Sequence, residues 1–251
     1  MERLTGRVAL VTGASSGIGA AVAASLVKHG MKVVGCARNV DKIKALAKTL
    51  QNEKGTLFAE KCDVSSEEDI LALFKTIKAD HGGVDVCINN AGFSQEAPLL
   101  NGKTEYWRSM LEVNVLGLSI CTREAYTSMK ERNIDDGQII HISSMSGHRV
   151  LPSPGLHFYS ATKFAVRALL EGLRHEIKAA KSNIRVAEIS PGLVETEFVV
   201  RMSGAEAAKK MHAEVPSLYA EDIKETLTYI LSAPPHVEIH DVLMRSTSQQ
   251  F

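Results

Sequence analysis

The sequence has no excess of charge of either sign: 29 Lys and Arg stand against 29 Asp and Glu, for a formal net charge of zero. A nucleic-acid binder usually carries a basic excess or a clustered basic face. No Lys/Arg run of that kind is present, so no nucleic-acid partner is expected. Cysteine is scarce as well. Cys36, Cys62, Cys87 and Cys121 never fall into a C-x-x-C spacing, which argues against zinc or dithiol chemistry, and no metal site is expected. Each lies in an apolar stretch and reads as a buried free thiol in a reducing compartment. A long apolar run is also missing. Val8 to Val27 carries no charge, but Gly13, Gly17 and Gly19 interrupt it together with Thr12, Ser15, Ser16 and Ser25. A membrane span needs ~20 predominantly apolar residues and a signal peptide an unbroken apolar core. Neither is expected, the last four residues match no retention or peroxisomal signal, and the default location is cytoplasmic.

What is present is an ordinary globular composition. Of 251 residues, 45% are hydrophobic and 23% charged, which excludes disordered, collagenous and disulfide-scaffold classes. A domain of this size buries enough surface to need no disulfide or metal. Short apolar runs alternate with helical stretches. Strands are predicted at 7–12, 31–37, 56–62, 84–88, 138–142 and 184–189, with a further candidate near 239–244. Helices are predicted at 17–29, 40–50, from a Ser65 cap to about Asp80, at 104–117, 119–132, 159–180, 205–214 and 220–232. Such alternation implies a parallel sheet with helices on both faces, an α/β doubly wound fold of the Rossmann type. The pattern never resets, so one domain over 1–251 is expected.

Five stretches carry chemistry. Thr12-Gly13-Ala14-Ser15-Ser16-Gly17-Ile18-Gly19 follows the first strand and opens the first helix. Glycines there permit a tight turn and close approach of backbone to a pyrophosphate on the helix N-terminus. The second strand ends in Ala37-Arg38, where an NAD-binding fold would place an acid against the ribose. A guanidinium instead of a carboxylate favours NADP(H) over NAD(H). Asp63, at the end of the third strand, either accepts the adenine amino group or simply precedes a helix. Tyr159 and Lys163 stand one helical turn apart, and a nearby ammonium favours phenolate, which predicts a lowered tyrosine pKa and a usable acid or base. Tyr126 and Lys130 repeat the spacing, but only Tyr159 follows the fifth strand and its serine-rich end, where such folds bind ligands. Ser143, Ser144 and Ser146 compete there as donors to a carbonyl oxygen.

Taken together, these residues resemble the classical short-chain dehydrogenase/reductases. The resemblance rests on the glycine motif, Asn89-Asn90-Ala91-Gly92, Asn114, Ile142-Ser143-Ser144, Tyr159-x3-Lys163 and Pro191-Gly192, in that order over nearly the whole chain. Stretches at 119–126, 129–133 and 145–152 look closer to a branch of animal reductases that has insect farnesol dehydrogenases among its relatives. The resemblance implies an NADP(H)-dependent oxidoreductase of lipophilic ketones, steroid 3- or 17-ketones and dicarbonyls among them, or, alternatively, of isoprenoid alcohols. It implies Tyr159 as proton donor, Lys163 as its partner on the nicotinamide ribose, Ser144 as the group polarising the carbonyl and Asn114 as anchor of a water leading to Lys163. The cofactor would run over Gly13, Ser15, Ser16, Gly17, Ile18 and Gly19, past Arg38, Asn39, Asp63 and Val64, along Asn90, Ala91 and Gly92, and under Pro191, Gly192, Val194 and Thr196. Substrate contacts are expected from Met145, His148, Leu151, Phe198 and Met202, under a covering segment at about 193–215. A homodimer or homotetramer is implied. The tail departs from the family in lacking a glycine-rich closing strand. A third reading, a nucleotide-binding sensor without turnover, would be favoured by a broken Tyr/Lys/Ser/Asn set, and here the set is intact.

Overall fold

The structure, a computed structural model, describes residues 1–249. Its strands are β1 (Val8–Thr12), β2 (Lys32–Ala37), β3 (Thr56–Lys61), β4 (Val86–Asn89), β5 (Gln138–Ile142), β6 (Arg185–Pro191) and β7 (Asp241–Met244). They form one parallel sheet in the order β3-β2-β1-β4-β5-β6-β7. The order reverses between β1 and β4, and the crevice above that point is where such sheets bind ligands.

The helices are α1 (Gly17–Lys28), α2 (Val40–Thr49), α3 (Glu67–His81), α4 (Thr104–Leu111), α5 (Leu118–Glu131), α6 (His157–Ala179), α7 (Glu197–Ser203), α8 (Ala205–Glu214) and α9 (Ala220–Ser232). Two apolar layers hold them to the sheet. One packs Val22, Leu26, Ile43 and Leu227 against Val11, Val33 and Ile189 on one face. The other packs Ile70, Phe74, Ala125, Met129, Leu170 and Ile177 against Leu10, Val34, Cys87 and Val186 on the opposite face. Because both faces are covered, β1, β4 and β5 are buried end to end, which explains why their sequences are largely apolar rather than alternating. All four cysteines are free and buried in this core.

Two local expectations are corrected. Residues 104–132 are a single rod: α4 runs through a π-helical turn, Glu112–Gly117, straight into α5. A Cβ on Gly117 would strike the Val64 carbonyl, so the glycine lets this turn press against the loop after β3. The cap of α3 is Ser66, whose Oγ accepts from the Asp69 amide at 3.2 Å, while Ser65 turns back to Asp63. The tail supplies β7 without a glycine motif, paired in parallel with β6. Among the described residues no helix is long and apolar enough to cross a membrane.

Candidate active site

The glycine turn is held from behind by β4. Thr12 Oγ1 accepts from the Asn90 and Ala91 amides, each at 3.0 Å, and Asn90 Nδ2 donates to the Thr12 and Gly13 carbonyls at 2.9 and 3.3 Å. Asn90 was expected to line the cofactor, but its carboxamide points into the turn and fixes its shape. Gly13 and Gly17 have φ of +70° and +55°, the left-handed region that favours glycine. A Cβ on Gly19 would collide with the Gly13 carbonyl oxygen and with Asn90 Nδ2. Ser16 is the N-cap of α1, yet its hydroxyl caps no backbone amide and the first turn holds no acid. An uncapped helix end behind a bare glycine turn is a fit for a pyrophosphate.

Arg38 and Asn39 are exposed where β2 gives way to α2. Asp63 accepts from the Ser65 amide at 3.0 Å and its hydroxyl at 2.7 Å. Burial works to raise its pKa, but those two donors and the Arg38 charge hold the carboxylate below its usual value. Val64 lies against the π turn through its carbonyl. At the other end, a Cβ on Gly92 would stand 3.3 Å from Asn114 Oδ1 and 3.8 Å from Lys163 Nζ, so the missing side chain leaves room beside the lysine.

Asn114 sits inside the π turn and is buried. Its Nδ2 donates to the Phe93 carbonyl at 2.9 Å and to Thr162 Oγ1 at 3.1 Å, and its Oδ1 accepts from the Phe93 amide at 3.0 Å. The side chain therefore clamps the loop after β4 to α6. Ser144 caps the short turn after β5, where its Oγ accepts from the Ser146 amide at 3.1 Å. It also stands near enough to the Tyr159 hydroxyl to pull the phenol's pKa down, against the larger effect of burial. This singles out Ser144 among the three competing serines.

Tyr159 and Lys163 are both buried on α6, with the ammonium 5.8 Å from the tyrosine ring centre. Lys163 Nζ donates to the Ile142 carbonyl at 3.0 Å. The expectation of a lowered tyrosine pKa does not hold in this state. Burial pushes Tyr159 up to about 12, against a smaller downward pull from Ser144. The lysine is turned to a main-chain carbonyl rather than to the phenol, so it does not offset the cost of burying a phenolate. Burial likewise pushes Lys163 down to about 8, opposed by the negative charge of Glu188. The look-alike pair behaves differently: Tyr126 packs against the core and Lys130 is exposed on α5.

Pro191 ends β6 and Gly192 begins the cover. Val194 is buried, with its strand bridge to Leu218 closing the loop back on itself. Thr196 caps α7 through the Phe198 amide, and its methyl would touch a Cβ on Gly17 at 3.1 Å. The cover and the glycine turn thus meet directly. Phe198 reaches Tyr159, ring centres 5.8 Å apart. Met145 is buried beside Ser144, whereas Leu151 and Met202 are half-buried. Val199 is buried as core. Ser15 and Ile18 are half-buried in the turn, with Ile18 packed on the core.

His148 is the substrate contact that the structure does not support. Its Nε2 lies 3.0 Å from Ser190 Oγ and 3.1 Å from Asp241 Oδ2, and its Nδ1 takes Arg167 Nη1 at 2.9 Å. Both ring nitrogens are engaged in a charged cluster over β6 and β7. Sequence reasoning also missed Tyr106, Trp107, Glu188 and Gln249. Trp107 stacks on Phe158 with ring centres 5.5 Å apart, and with Phe93, Tyr106 and Phe198 they form an aromatic rim packed against a buried cluster of Ala97, Met110 and Tyr159. Glu188, a lone acid within an apolar strand, was a visible signal. Gln249 had none: it accepts from the Leu193 amide at 3.1 Å and reaches Met145 Sδ at 3.1 Å from the far end of the chain.

A family model for short chain dehydrogenases matches residues 7–207. The chain belongs to that family. It is 61% identical over 253 residues to the dehydrogenase/reductase SDR family member 11 of Gallus gallus, covering 99% of each protein. It is 44% identical over 257 residues to a farnesol dehydrogenase of Aedes aegypti, covering both completely. The crystal structure of an alcohol dehydrogenase from Thermococcus sibiricus complexed with 5-hydroxy-NADP superposes with a TM-score of 0.84 at 30% identity, over 97% of this chain and 98% of that one. The family assignment makes the chain an oxidoreductase and carries the doubly wound fold with it.

Proposed function

We propose that this short-chain dehydrogenase reduces ketone groups of lipophilic substrates with NADPH, using Tyr159 as the proton donor. The observation that carries the reading is Tyr159, buried on α6 beside Lys163 and against Phe198, with the half-buried Ser144 capping the turn after β5. The bound cofactor supplies a hydride. A carbonyl oxygen between the two hydroxyls accepts a hydrogen bond from Ser144 and a proton from Tyr159. Burial keeps that proton on Tyr159 through the neutral range. Lys163 fits the nicotinamide ribose in the space Gly92 leaves open, and Asn114 positions that loop and anchors the proton path to Lys163. Gly13, Gly17 and Gly19 take the pyrophosphate, and Val194 and Thr196 close over the nicotinamide.

Arg38, unopposed by an acid at the end of β2, supports NADP(H), as does the dinucleotide in the Thermococcus sibiricus relative. Phe93, Tyr106, Trp107, Phe158 and Phe198 suit a broad apolar substrate such as a ketosteroid or a dicarbonyl. A second reading, oxidation of isoprenoid alcohols, draws on the mosquito relative. The two use the same groups in opposite directions. We place the protein in the cytoplasm as a single functional domain and as a homodimer or homotetramer. Leu111, Leu116, Phe164 and Leu169, exposed on the central helices, favour assembly, which light scattering tests.

The deciding experiment follows NADPH oxidation against a 3-ketosteroid, a 17-ketosteroid, a dicarbonyl, farnesal and an aldose, with NADH alongside. Turnover of the apolar ketones with NADPH is expected. Turnover confined to farnesal would move the isoprenoid reading first, and tight NADPH binding with no turnover would leave a nucleotide-binding protein without an activity.

A further inference from the structure

One carboxylate ties α7 across the crevice. Glu197 Oε1 meets Lys42 Nζ, in the first turn of α2, at 2.6 Å, and its Oε2 meets Arg201 Nη2 at 2.7 Å. The same Arg201 nitrogen donates to Ser16 Oγ at 3.2 Å. These side chains follow strands β1, β2 and β6, so the contacts span the point where strand order reverses. They are 155 and 185 residues apart in sequence across the two cross-crevice pairs.

The placement is unusual for cations. Arg201 stands at the N-terminus of α1, whose uncapped amides and positive dipole end already favour an anion. Lys42 stands at the N-terminus of α2, next in sequence to the exposed Arg38 loop. A cation at either place repels the helix end unless an anion joins it; Glu197 meets both cations, and Asp41 also stands in the first turn of α2. A carboxylate that offers one oxygen to each of two cations has the donor demand of a phosphate group. All three side chains are about half exposed, at 55% for Arg201, 45% for Lys42 and 44% for Glu197, so an incoming ligand can displace the pairings.

We infer that Arg201 and Lys42 are phosphate ligands of the dinucleotide, and that Glu197 is a resident placeholder that holds both cations until the phosphates displace it. Arg201 serves the pyrophosphate at the glycine turn, and Lys42 joins Arg38 at the ribose 2′-phosphate. Because Arg201 and Glu197 lie on α7, the exchange transfers the anchoring of the cover from Glu197 to the dinucleotide. The inference rests on the nicotinamide-dinucleotide reading above.

Titration calorimetry of the full chain with NADPH and with NADH tests it without turnover. Arg201→Ala weakens both dinucleotides about tenfold, the loss of one charge-assisted contact. Lys42→Ala weakens NADPH about tenfold and leaves NADH nearly unchanged. Glu197→Gln tightens NADPH several-fold, since it frees both cations. Arg201→Lys, which keeps the charge, recovers part of the loss. Thermal melts of the variants check folding. Weaker NADPH binding by Glu197→Gln would make Glu197 a strut of the cover and overturn the inference, as would unchanged affinities in Arg201→Ala and Lys42→Ala. Wild type that binds neither dinucleotide would bring down the cofactor reading itself, and this inference with it.

Discussion

Lys163 Nζ donates to the main-chain carbonyl of Ile142 at 3.0 Å, at the end of β5, and so stands apart from the phenol it was expected to activate. This state favours a protonated tyrosine, with burial carrying Tyr159 to about 12 and Lys163 to about 8. The reductive direction needs the proton on Tyr159 and the charge on Lys163. Its kcat/KM, which reports the free enzyme, is therefore expected to stay level from about pH 6 to 7.5 and to fall as Lys163 deprotonates near 8. Lys163→Arg, whatever its absolute rate, lacks that break because a guanidinium does not titrate there. Tyr159→Phe retains NADPH binding and loses turnover by several orders of magnitude, about the contribution of general acid catalysis and positioning. A profile that keeps its break in Lys163→Arg would assign it to another group.

Two glycines make opposite predictions for the same substitution. Gly19→Ala sets a methyl against the Gly13 carbonyl and Asn90 Nδ2, neither of which can retreat without opening the turn. It is expected to lower stability by about 1–3 kcal/mol and to weaken NADPH binding at least tenfold. Gly172→Ala, in the interior of α6 with open space around it, is expected to raise stability by about 0.5–1 kcal/mol. Urea unfolding of the two variants checks both signs.

The sheet and most helices were legible because their signals are local. Apolar runs, glycine turns and helical stretches each declare themselves within a dozen residues, and their alternation leaves one topology class. The glycine motif and the Tyr159/Lys163 spacing were legible for the same reason. What sequence could not convey was orientation. His148 lies beside Ser144 in the chain, but Ser190, Asp241 and Arg167 draw its ring to the far side. Asn90 lies in the expected loop but faces the turn's own carbonyls. Gln249 arrives from 56 residues beyond Leu193, through a contact no local pattern encodes. The π turn hid inside a good helical stretch because its close approach is to the Val64 carbonyl, in the loop after β3 and far away in sequence.

The aromatic rim predicts a selectivity effect. Phe198 is tilted against Tyr159 at 5.8 Å between ring centres and is carried by the cover. Phe198→Ala is expected to raise KM for an apolar ketone by about ten- to a hundredfold, the 1.5–3 kcal/mol of one buried aromatic contact surface. A small dicarbonyl that does not reach the rim should lose far less. Equal losses on both substrates would mean that Phe198 supports Tyr159 and does not contact substrate.

Glu188 links stability to the acid–base profile. Its carboxyl is buried within β6, and burial with the neighbouring Asp241 raises its pKa to about 7, against lowering by Ser190, Arg167 and Lys163. His148 Nε2 stands 3.8 Å away from it. A folded pKa raised above the unfolded value means that the protonated form is the one the fold favours. The stabilising contribution is thus full below about pH 4.5 and is lost as pH rises through about 7. Glu188→Gln mimics the protonated form at every pH. The variant should match wild type in thermal melts near pH 4.5 and be the more stable of the two at pH 8. The same substitution removes the negative charge that supports the Lys163 ammonium. The break in reductive kcat/KM should therefore move below pH 8, while Tyr159, on which Glu188 does not act, keeps its proton. A melt difference without a shifted break would confine Glu188 to the fold. A shifted break with no melt difference would mean that its carboxylate is already compensated by Ser190 and Arg167.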